Sequence, residues 1–135
     1  MKVIISSVFQ DVSSCQANEK ADPSKILICK SFDEAMKTIT EKYSEQVETI
    51  YAIGGAQIYR QSLEYPVGFL DRIYLTRIFS DIKCDVFMEP SNFLESFKKV
   101  VDISNKENFL VEFNTKVKDE KSGLEYTFEI YEKSK

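Results

Sequence analysis

Two adjacent glycines, Gly54 and Gly55, interrupt an apolar stretch where a strand pattern changes to a helical one. Glycine lets a ligand approach the backbone closely, and the first turn of a helix presents free N–H groups and the positive end of the helix dipole. A strand–glycine–helix junction is therefore suited to binding phosphate groups. A tight turn that needs a positive φ would use the same two residues, so the pair alone leaves both interpretations open.

The composition restricts the rest of the chemistry. The sequence contains no histidine, which excludes Ser-His and Cys-His catalysis and removes the commonest metal ligand. Its three cysteines, Cys15, Cys29 and Cys84, lack CxxC spacing, so we expect reduced thiols, no disulfide framework and no metal site. Proton transfer would have to use carboxylates, tyrosine, lysine or water.

Length and charge define the broad class. The chain has 135 residues, of which 43% are hydrophobic, and this predicts one globular domain over residues 1–135. The net charge of −4, with lysines scattered among acidic residues, predicts no nucleic-acid partner. No apolar run approaches the roughly 20 residues that a membrane helix needs, and the N-terminal apolar run holds two serines, unlike a secretory signal. We expect a cytoplasmic protein with no membrane attachment.

The first half of the chain predicts two strands and a helix. Short apolar runs over residues 3–6 and 26–29 indicate buried strands, and polar residues 10–25 indicate a loop. Ser31, with Glu34 three residues later, forms a capping-box pattern that predicts a helix over residues 32–43. Its apolar face would carry Phe32, Ala35, Met36, Ile39 and Tyr43.

The second half predicts further strands around the glycine pair. Residues 49–53 are apolar on both faces, as in an interior parallel strand, and a helix should begin after Gly55. Residues 71–78 indicate another strand, and residues 109–116 and 125–132 indicate an antiparallel hairpin. This order predicts an α/β protein with a mostly parallel sheet and an antiparallel strand near its end.

Several motifs together resemble the dihydrofolate reductase family. IGGAQIY is followed by LTRI, CDVFMEP and a terminal YTFEIYEK, and KVIISS and ICKSFDEAM match earlier segments of the family. The resemblance runs from residue 2 to residue 135. The deaminase-reductases of riboflavin synthesis share the fold and the double glycine, but not the later motifs. The resemblance implies a mixed, mostly parallel sheet with flanking helices and a C-terminal antiparallel hairpin.

The resemblance also implies an activity. Members of the family are oxidoreductases that reduce 7,8-dihydrofolate to tetrahydrofolate with NADPH, in one-carbon metabolism. The partners implied for an intact form are therefore dihydrofolate and NADPH, and a monomer is expected.

Most of the site residues that the resemblance implies belong to the cofactor site. The peptide between the two glycines is cis in the family, and the helix that follows lies along the cofactor. Ser6 and Ser7 match the segment at the adenosine 2′-phosphate, where Ser7 replaces a common arginine and so contributes no charge. The cofactor-binding residues implied are Ser6, Ser7, Lys30, Gly54, Gly55, Ala56, Gln57, Ile58 and Tyr59.

Two further residues match substrate-binding positions. Ile53 would present its backbone carbonyl to the pterin, and Thr76 would join the network that binds the pterin. Structural interpretations stay open for three residues: Thr76 as a buried strand threonine, Lys30 as a solvated lysine, and Tyr59 as a core aromatic. Arg77, beside Thr76, is expected to be structural.

The resemblance has one large gap. The family's first two strands, its closing loop and the acidic residue at the pterin have no counterpart in these 135 residues, so no catalytic residue is assigned. In the family those strands flank the one that corresponds to residues 49–53. The chain by itself is expected to be inactive. The alternative interpretation is a truncated, non-catalytic paralogue or splice product that retains nucleotide binding or acts as a complementing partner segment.

Overall fold

The computed structural model describes residues 2–5, 26–66, 68–102 and 112–134. The chain divides into two compact units, Met1–Ile53 and Gly54–Lys135. The single domain expected over residues 1–135 stays a prediction. The loop expected over residues 10–25 lies outside the described residues.

The first unit contains a parallel strand pair. β1 (Lys2–Ile5) pairs with β2 (Ile26–Cys29) in a register that places Lys2 opposite Ile26 and Ile5 opposite Cys29. Both strands were predicted from their apolar runs, and Ser6, the last residue of the first prediction, lies outside the described residues. Helix α1 (Phe32–Lys42) contacts both strands.

The ends and the buried face of α1 follow the sequence pattern. The Ser31 hydroxyl accepts a hydrogen bond from the Glu34 N–H at 3.1 Å, while the Glu34 carboxylate accepts one from the Lys30 N–H at 2.7 Å. These bonds satisfy N–H groups at the start of the helix, where no backbone acceptor is available within the helix. The core of this unit is formed by Cys29, Phe32, Ala35, Met36 and Ile39, which are all buried.

The strand predicted over residues 49–53 is not present. The structure assigns no strand to these residues, and the side chains of Ile50, Tyr51 and Ile53 are exposed. A strand exists only through its ladder of hydrogen bonds to neighbouring strands, and no described strand pairs with this segment. The apolar pattern therefore indicates strand propensity, but the described residues supply no partner for it.

The described residues of the second unit form one helix and an antiparallel sheet. Helix α2 (Ala56–Glu64) is followed by strand β3 (Arg72–Ile78), which was predicted to within one residue. The sheet order is β3–β6–β4, where β4 is Phe97–Lys99 and β6 is Glu125–Lys133. β5 (Val117–Lys118) also pairs with β6. All three pairings of β6 are antiparallel.

The C-terminal hairpin is confirmed, but its first strand is shifted. β5 and β6 are joined by a turn in which the Asp119 N–H donates to the Leu124 carbonyl at 2.9 Å and the Gly123 N–H donates to the Asp119 carbonyl at 2.8 Å. The first strand was expected over residues 109–116, of which 109–111 lie outside the described residues. Residues 112–116 form only an isolated bridge between Phe113 and Phe128. The Ser122 N–H and hydroxyl both donate to the Asp119 carboxylate. These bonds hold the turn that brings β5 beside the start of β6.

The architecture is a mixed α/β fold, as the order of elements predicted. Among the described ladders, only β1–β2 is parallel, so the described part contains less parallel pairing than was expected. The reason is that residues 49–53, the expected interior parallel strand, form no ladder. Within the described ranges, neither helix is long and apolar enough to cross a membrane.

We predict that Met36→Ala lowers the free energy of unfolding of the first unit by roughly 2–5 kcal/mol, because it leaves a cavity in the core beneath α1. The neighbouring Lys37 is exposed, and Lys37→Ala should change this free energy by no more than about 0.5 kcal/mol. Urea denaturation followed by circular dichroism measures both. Equal stability of the two variants would show that α1 does not pack through Met36.

Candidate functional site

The glycine pair lies directly before α2, as predicted. Gly54 has a φ of +93°, the Gly54–Gly55 peptide is cis, and Gly55 is the N-cap residue of the helix. The Tyr59 N–H donates to the Gly55 carbonyl at 3.1 Å and closes the first turn. The two glycines thus immediately precede the first turn of α2.

Glycine is required at position 54 for two reasons. Its positive φ is a conformation that side chains disfavour. A Cβ built on Gly54 would also lie 2.8 Å from the Cζ and hydroxyl oxygen of Tyr59. The Tyr59 ring therefore packs directly on the Gly54 backbone, while its side chain stays 38% exposed.

Gly55 is different, because neither its conformation nor its surroundings require glycine. Its φ is −76°, and a Cβ built on it would meet no atom within 4 Å. The absence of a side chain leaves open space at the start of α2. This space lies where a ligand could approach the first N–H groups of the helix.

The N-termini of the two helices differ in charge and capping. α1 is capped by the Ser31 hydroxyl and carries Asp33 and Glu34 in its first turn. A hydrogen-bond acceptor and two negative charges therefore already stabilise the positive end of this helix. α2 has no side-chain cap and no acidic residue in its first turn. The first N–H groups of a helix have no acceptor within the helix, and an anion is stabilised there by the helix dipole. The α2 N-terminus therefore has the properties of an anion-binding site.

The remaining cofactor candidates fall in different places. On α2, Ala56 and Ile58 are half-buried and Gln57 is exposed. In the first unit, Lys30 is exposed, and its backbone N–H donates to the Glu34 carboxylate. Ser6 and Ser7 lie outside the described residues.

The two substrate candidates are both exposed. Ile53 ends the first unit with 88% of its surface accessible. Thr76 lies on β3 opposite Phe128, and it is exposed. The interpretation of Thr76 as a buried threonine is therefore wrong for this structure, because β3 presents that residue on an accessible face.

Sequence reasoning missed a buried carboxylate on the central strand. The Glu129 side chain on β6 is only 5% exposed, and it accepts hydrogen bonds from Lys99 Nζ at 2.7 Å and Arg77 Nε at 3.0 Å. The hydroxyls of Thr127 and Tyr131 donate to the same carboxylate at 3.2 and 2.9 Å. These five residues are called the Glu129 cluster below. The expectation that Arg77 is structural agrees with its place in this cluster.

The partners of Glu129 determine its protonation. Burial by itself would raise the pKa of this carboxyl, but hydrogen bonds from Lys99, Tyr131 and Arg77 outweigh that effect and lower the pKa from 4.5 to about 2. The hydrogen bond to the Tyr131 hydroxyl raises the pKa of Arg77. Desolvation lowers this pKa, and the hydrogen bond and negative charge of Glu129 raise it further. The Glu129 carboxylate is therefore ionised at neutral pH. No group of three or more possible metal ligands lies within the described part of the chain.

The fold and the junction define a class of protein, namely a mixed α/β protein with an uncapped helix N-terminus after a glycine turn. A family model described as dihydrofolate reductase matches residues 12–133. The chain belongs to the dihydrofolate reductase family.

Individual relatives agree with this assignment. The chain is 36% identical over 110 residues to the dihydrofolate reductase of Pneumocystis carinii, a match that covers 76% of this chain and 52% of the relative. It is 31% identical over 108 residues to the dihydrofolate reductase of Sus scrofa, and this match covers 79% of this chain and 52% of the relative. The chain thus spans about half the length of these curated relatives. The solved structure of Schistosoma mansoni dihydrofolate reductase has the same fold, with a TM-score of 0.65 and 21% identity, over 98% of this chain and 62% of that one.

We predict that acid destabilises the second unit through Glu129. Because the pKa of this carboxyl is lower in the folded state, the unfolded state binds more protons as the pH falls. The contribution of Glu129 to the free energy of unfolding is complete above about pH 4.5 and is lost as the pH falls towards about 2. Urea denaturation at a series of pH values should show this loss, and Glu129→Gln should flatten the profile over the same range. An equally steep decline in the variant would show that other carboxyl groups cause it.

Proposed function

We propose that this chain carries the cofactor-binding junction of a dihydrofolate reductase that reduces 7,8-dihydrofolate to tetrahydrofolate with NADPH, in one-carbon metabolism. The observation that supports this most is the Gly54–Gly55 turn at the uncapped N-terminus of α2. Membership of the family supports the reaction class. The proposed partners are the two small molecules, with no nucleic acid or membrane, and the proposed form is a cytoplasmic monomer.

The residues at the junction fit a nicotinamide dinucleotide. In our proposal, the N–H groups of Ala56, Gln57 and Ile58 donate to diphosphate oxygens, because an anion at this position is stabilised by the helix dipole. A Cβ built on Gly55 would meet no atom within 4 Å, and we place the diphosphate in this open space, with Tyr59 beside the nicotinamide. NADPH, when bound, supplies the hydride for the reduction.

Three residues are proposed for the adenosine end of the cofactor from the family resemblance, namely Lys30, Ser6 and Ser7. Lys30 is exposed, so its ammonium group is available to a phosphate. Ser6 and Ser7 would donate hydrogen bonds to the 2′-phosphate. A serine at position 7 supplies no charge, so we propose that Lys30 carries much of the preference for NADPH over NADH.

The substrate side is proposed to involve Ile53 and Thr76. The Ile53 carbonyl would accept a hydrogen bond from the pterin, which depends on backbone position and not on the exposed side chain. The Thr76 hydroxyl, accessible on β3, would hold the pterin through a hydrogen bond. Both residues orient the substrate, and no residue of this chain is proposed to supply the proton.

The cofactor assignment predicts that NADPH binding depends on the open space at Gly55. Gly55→Ala places a methyl group where we place the diphosphate, and the structure leaves room for that methyl in the protein alone. We expect affinity for NADPH to fall about tenfold or more, measured by isothermal titration calorimetry. Gln61→Ala, in the last turns of the same helix, is the control and should bind as the unmodified chain does. Equal affinity of the two variants would contradict the cofactor assignment.

For activity, we expect the 135-residue chain alone to give no turnover of dihydrofolate with NADPH above background. General acid catalysis contributes roughly 10²–10⁴ in rate, and the resemblance assigns the acidic residue and the closing loop to a part of the family that has no counterpart here. Adding a segment with the family's first strands should restore turnover, because residues 49–53 would gain neighbours to pair with. The assay is loss of NADPH absorbance. Full turnover by the lone chain would mean that one of its own carboxylates supplies the proton.

A further inference from the structure

The register of β3 on β6 is not specified by its apolar residues. Ile73 and Leu75 lie on one face of β3, and Tyr74 and Ile78 lie on the other. Because apolar side chains occupy both faces of β3, a shift of the strand by one residue would place Tyr74 and Ile78 on the face that Ile73 and Leu75 now occupy. Burial of apolar side chains therefore does not distinguish the two registers. Among the described strands, β3 pairs only with β6. A second feature must therefore select the observed pairing of Thr76 with Phe128.

The Glu129 cluster distinguishes the two faces of β3. Arg77 lies opposite Thr127, on the same face as Glu129, and its guanidinium donates to both the Glu129 carboxylate and the Tyr131 hydroxyl, at 3.0 Å each. A shift of β3 by one residue would move Arg77 to the opposite face of the sheet. The buried carboxylate would then lose one of its two charged donors, and the loss of a hydrogen-bonded charge partner is unfavourable for a buried charge.

The same carboxylate also binds the other neighbour of β6. Lys99 on β4 lies opposite Tyr131, and its ammonium group contacts the second carboxylate oxygen of Glu129 at 2.7 Å. One carboxylate thus joins three strands through charged hydrogen bonds. Arg77 lies 52 positions from Glu129 in the sequence and Lys99 lies 30 positions from it, so these bonds form only when both neighbouring strands are correctly aligned.

We propose that the Glu129 carboxylate locks the register of β3 on β6 and thereby keeps Thr76 on the face opposite Arg77. Glu129 is a positioning residue, because it acts through Arg77 and does not contact the substrate. The consequence for Thr76 rests on the proposed function, in which its hydroxyl orients the pterin. The register itself does not depend on that function.

The register can be measured directly by NMR on the full 135-residue chain. The Phe79 N–H donates to the Glu125 carbonyl, and hydrogen-bonded pairs alternate with closer, non-hydrogen-bonded pairs along an antiparallel ladder. Tyr74 opposite Ile130 and Thr76 opposite Phe128 are therefore close pairs. Their α-protons should give cross-strand nuclear Overhauser contacts in the unmodified chain.

The decisive variant combines Arg77→Met, Lys99→Met and Glu129→Leu. Replacing a whole buried ionic cluster by apolar residues usually leaves a protein folded, so the variant separates register from folding. We expect loss of intensity in both native α-proton contacts, together with new α-proton contacts from Leu75 to residue 128 or 130, which become the close pairs when β3 turns over and shifts by one residue. Glu129→Gln is a second variant that keeps the size of the side chain, and it should also give a second set of contacts.

The matched control is Arg72→Met with Glu132→Leu. This pair also joins β3 to β6, at 3.2 Å, but on the other face, and both of its side chains are about one-third exposed. The control should keep both native contacts at full intensity. A single native set of contacts in Glu129→Gln and in the triple variant would overturn the proposal, as would an equal loss in the control. The measurement needs no ligand, so failure of the register lock is distinguishable from failure of the proposed function.

Discussion

The second unit depends on the pairing of β6 with its neighbours. β3, β4 and β5 each form an antiparallel ladder with this one strand. The strand alternates between an apolar face, with Phe128 and Ile130, and a face that carries Thr127, Glu129 and Tyr131. Backbone hydrogen bonds hold the neighbours in place, and the charged donors that reach Glu129 distinguish one alignment from another. A buried carboxylate is a costly group, and its three-strand contacts explain why it is tolerated at the centre of the sheet.

The two helices show how similar elements acquire different roles. Both are amphipathic and both begin at a defined N-cap. α1 satisfies its N-terminus with Ser31 and two acidic residues, and it buries four side chains in the core. α2 begins after Gly55 without a side-chain cap, and none of its residues is fully buried. The helix whose positive end has no capping side chain or acid is therefore the one that the family resemblance places against an anionic cofactor.

What the sequence could predict depended on whether the signal was local. α1 was predicted to within one residue, because its cap and its apolar periodicity both lie within residues 31–43. The glycine junction was found for the same reason. Residues 49–53 have strand character, but a strand needs a partner, and the described residues supply none. Glu129 was missed because its burial depends on Arg77 and Lys99, which are distant in sequence, although the alternating polar residues of YTFEIYEK could have indicated a polar face.

The most direct test of the central claim, that the α2 N-terminus binds the cofactor, is an NMR titration of backbone amides with NADPH. We predict that chemical-shift changes concentrate at residues 55–58, since the N–H groups of Ala56, Gln57 and Ile58 would donate to the diphosphate and Gly55 would lie beside it. The N-terminus of α1 provides an internal comparison, because Ser31 and Glu34 already occupy its donors. Changes that are largest at the α2 amides would support the account, and a smaller change at Lys30 would agree with its proposed place at the adenosine end. Changes of equal size at the first turn of α1, or none at residues 55–58, would contradict it.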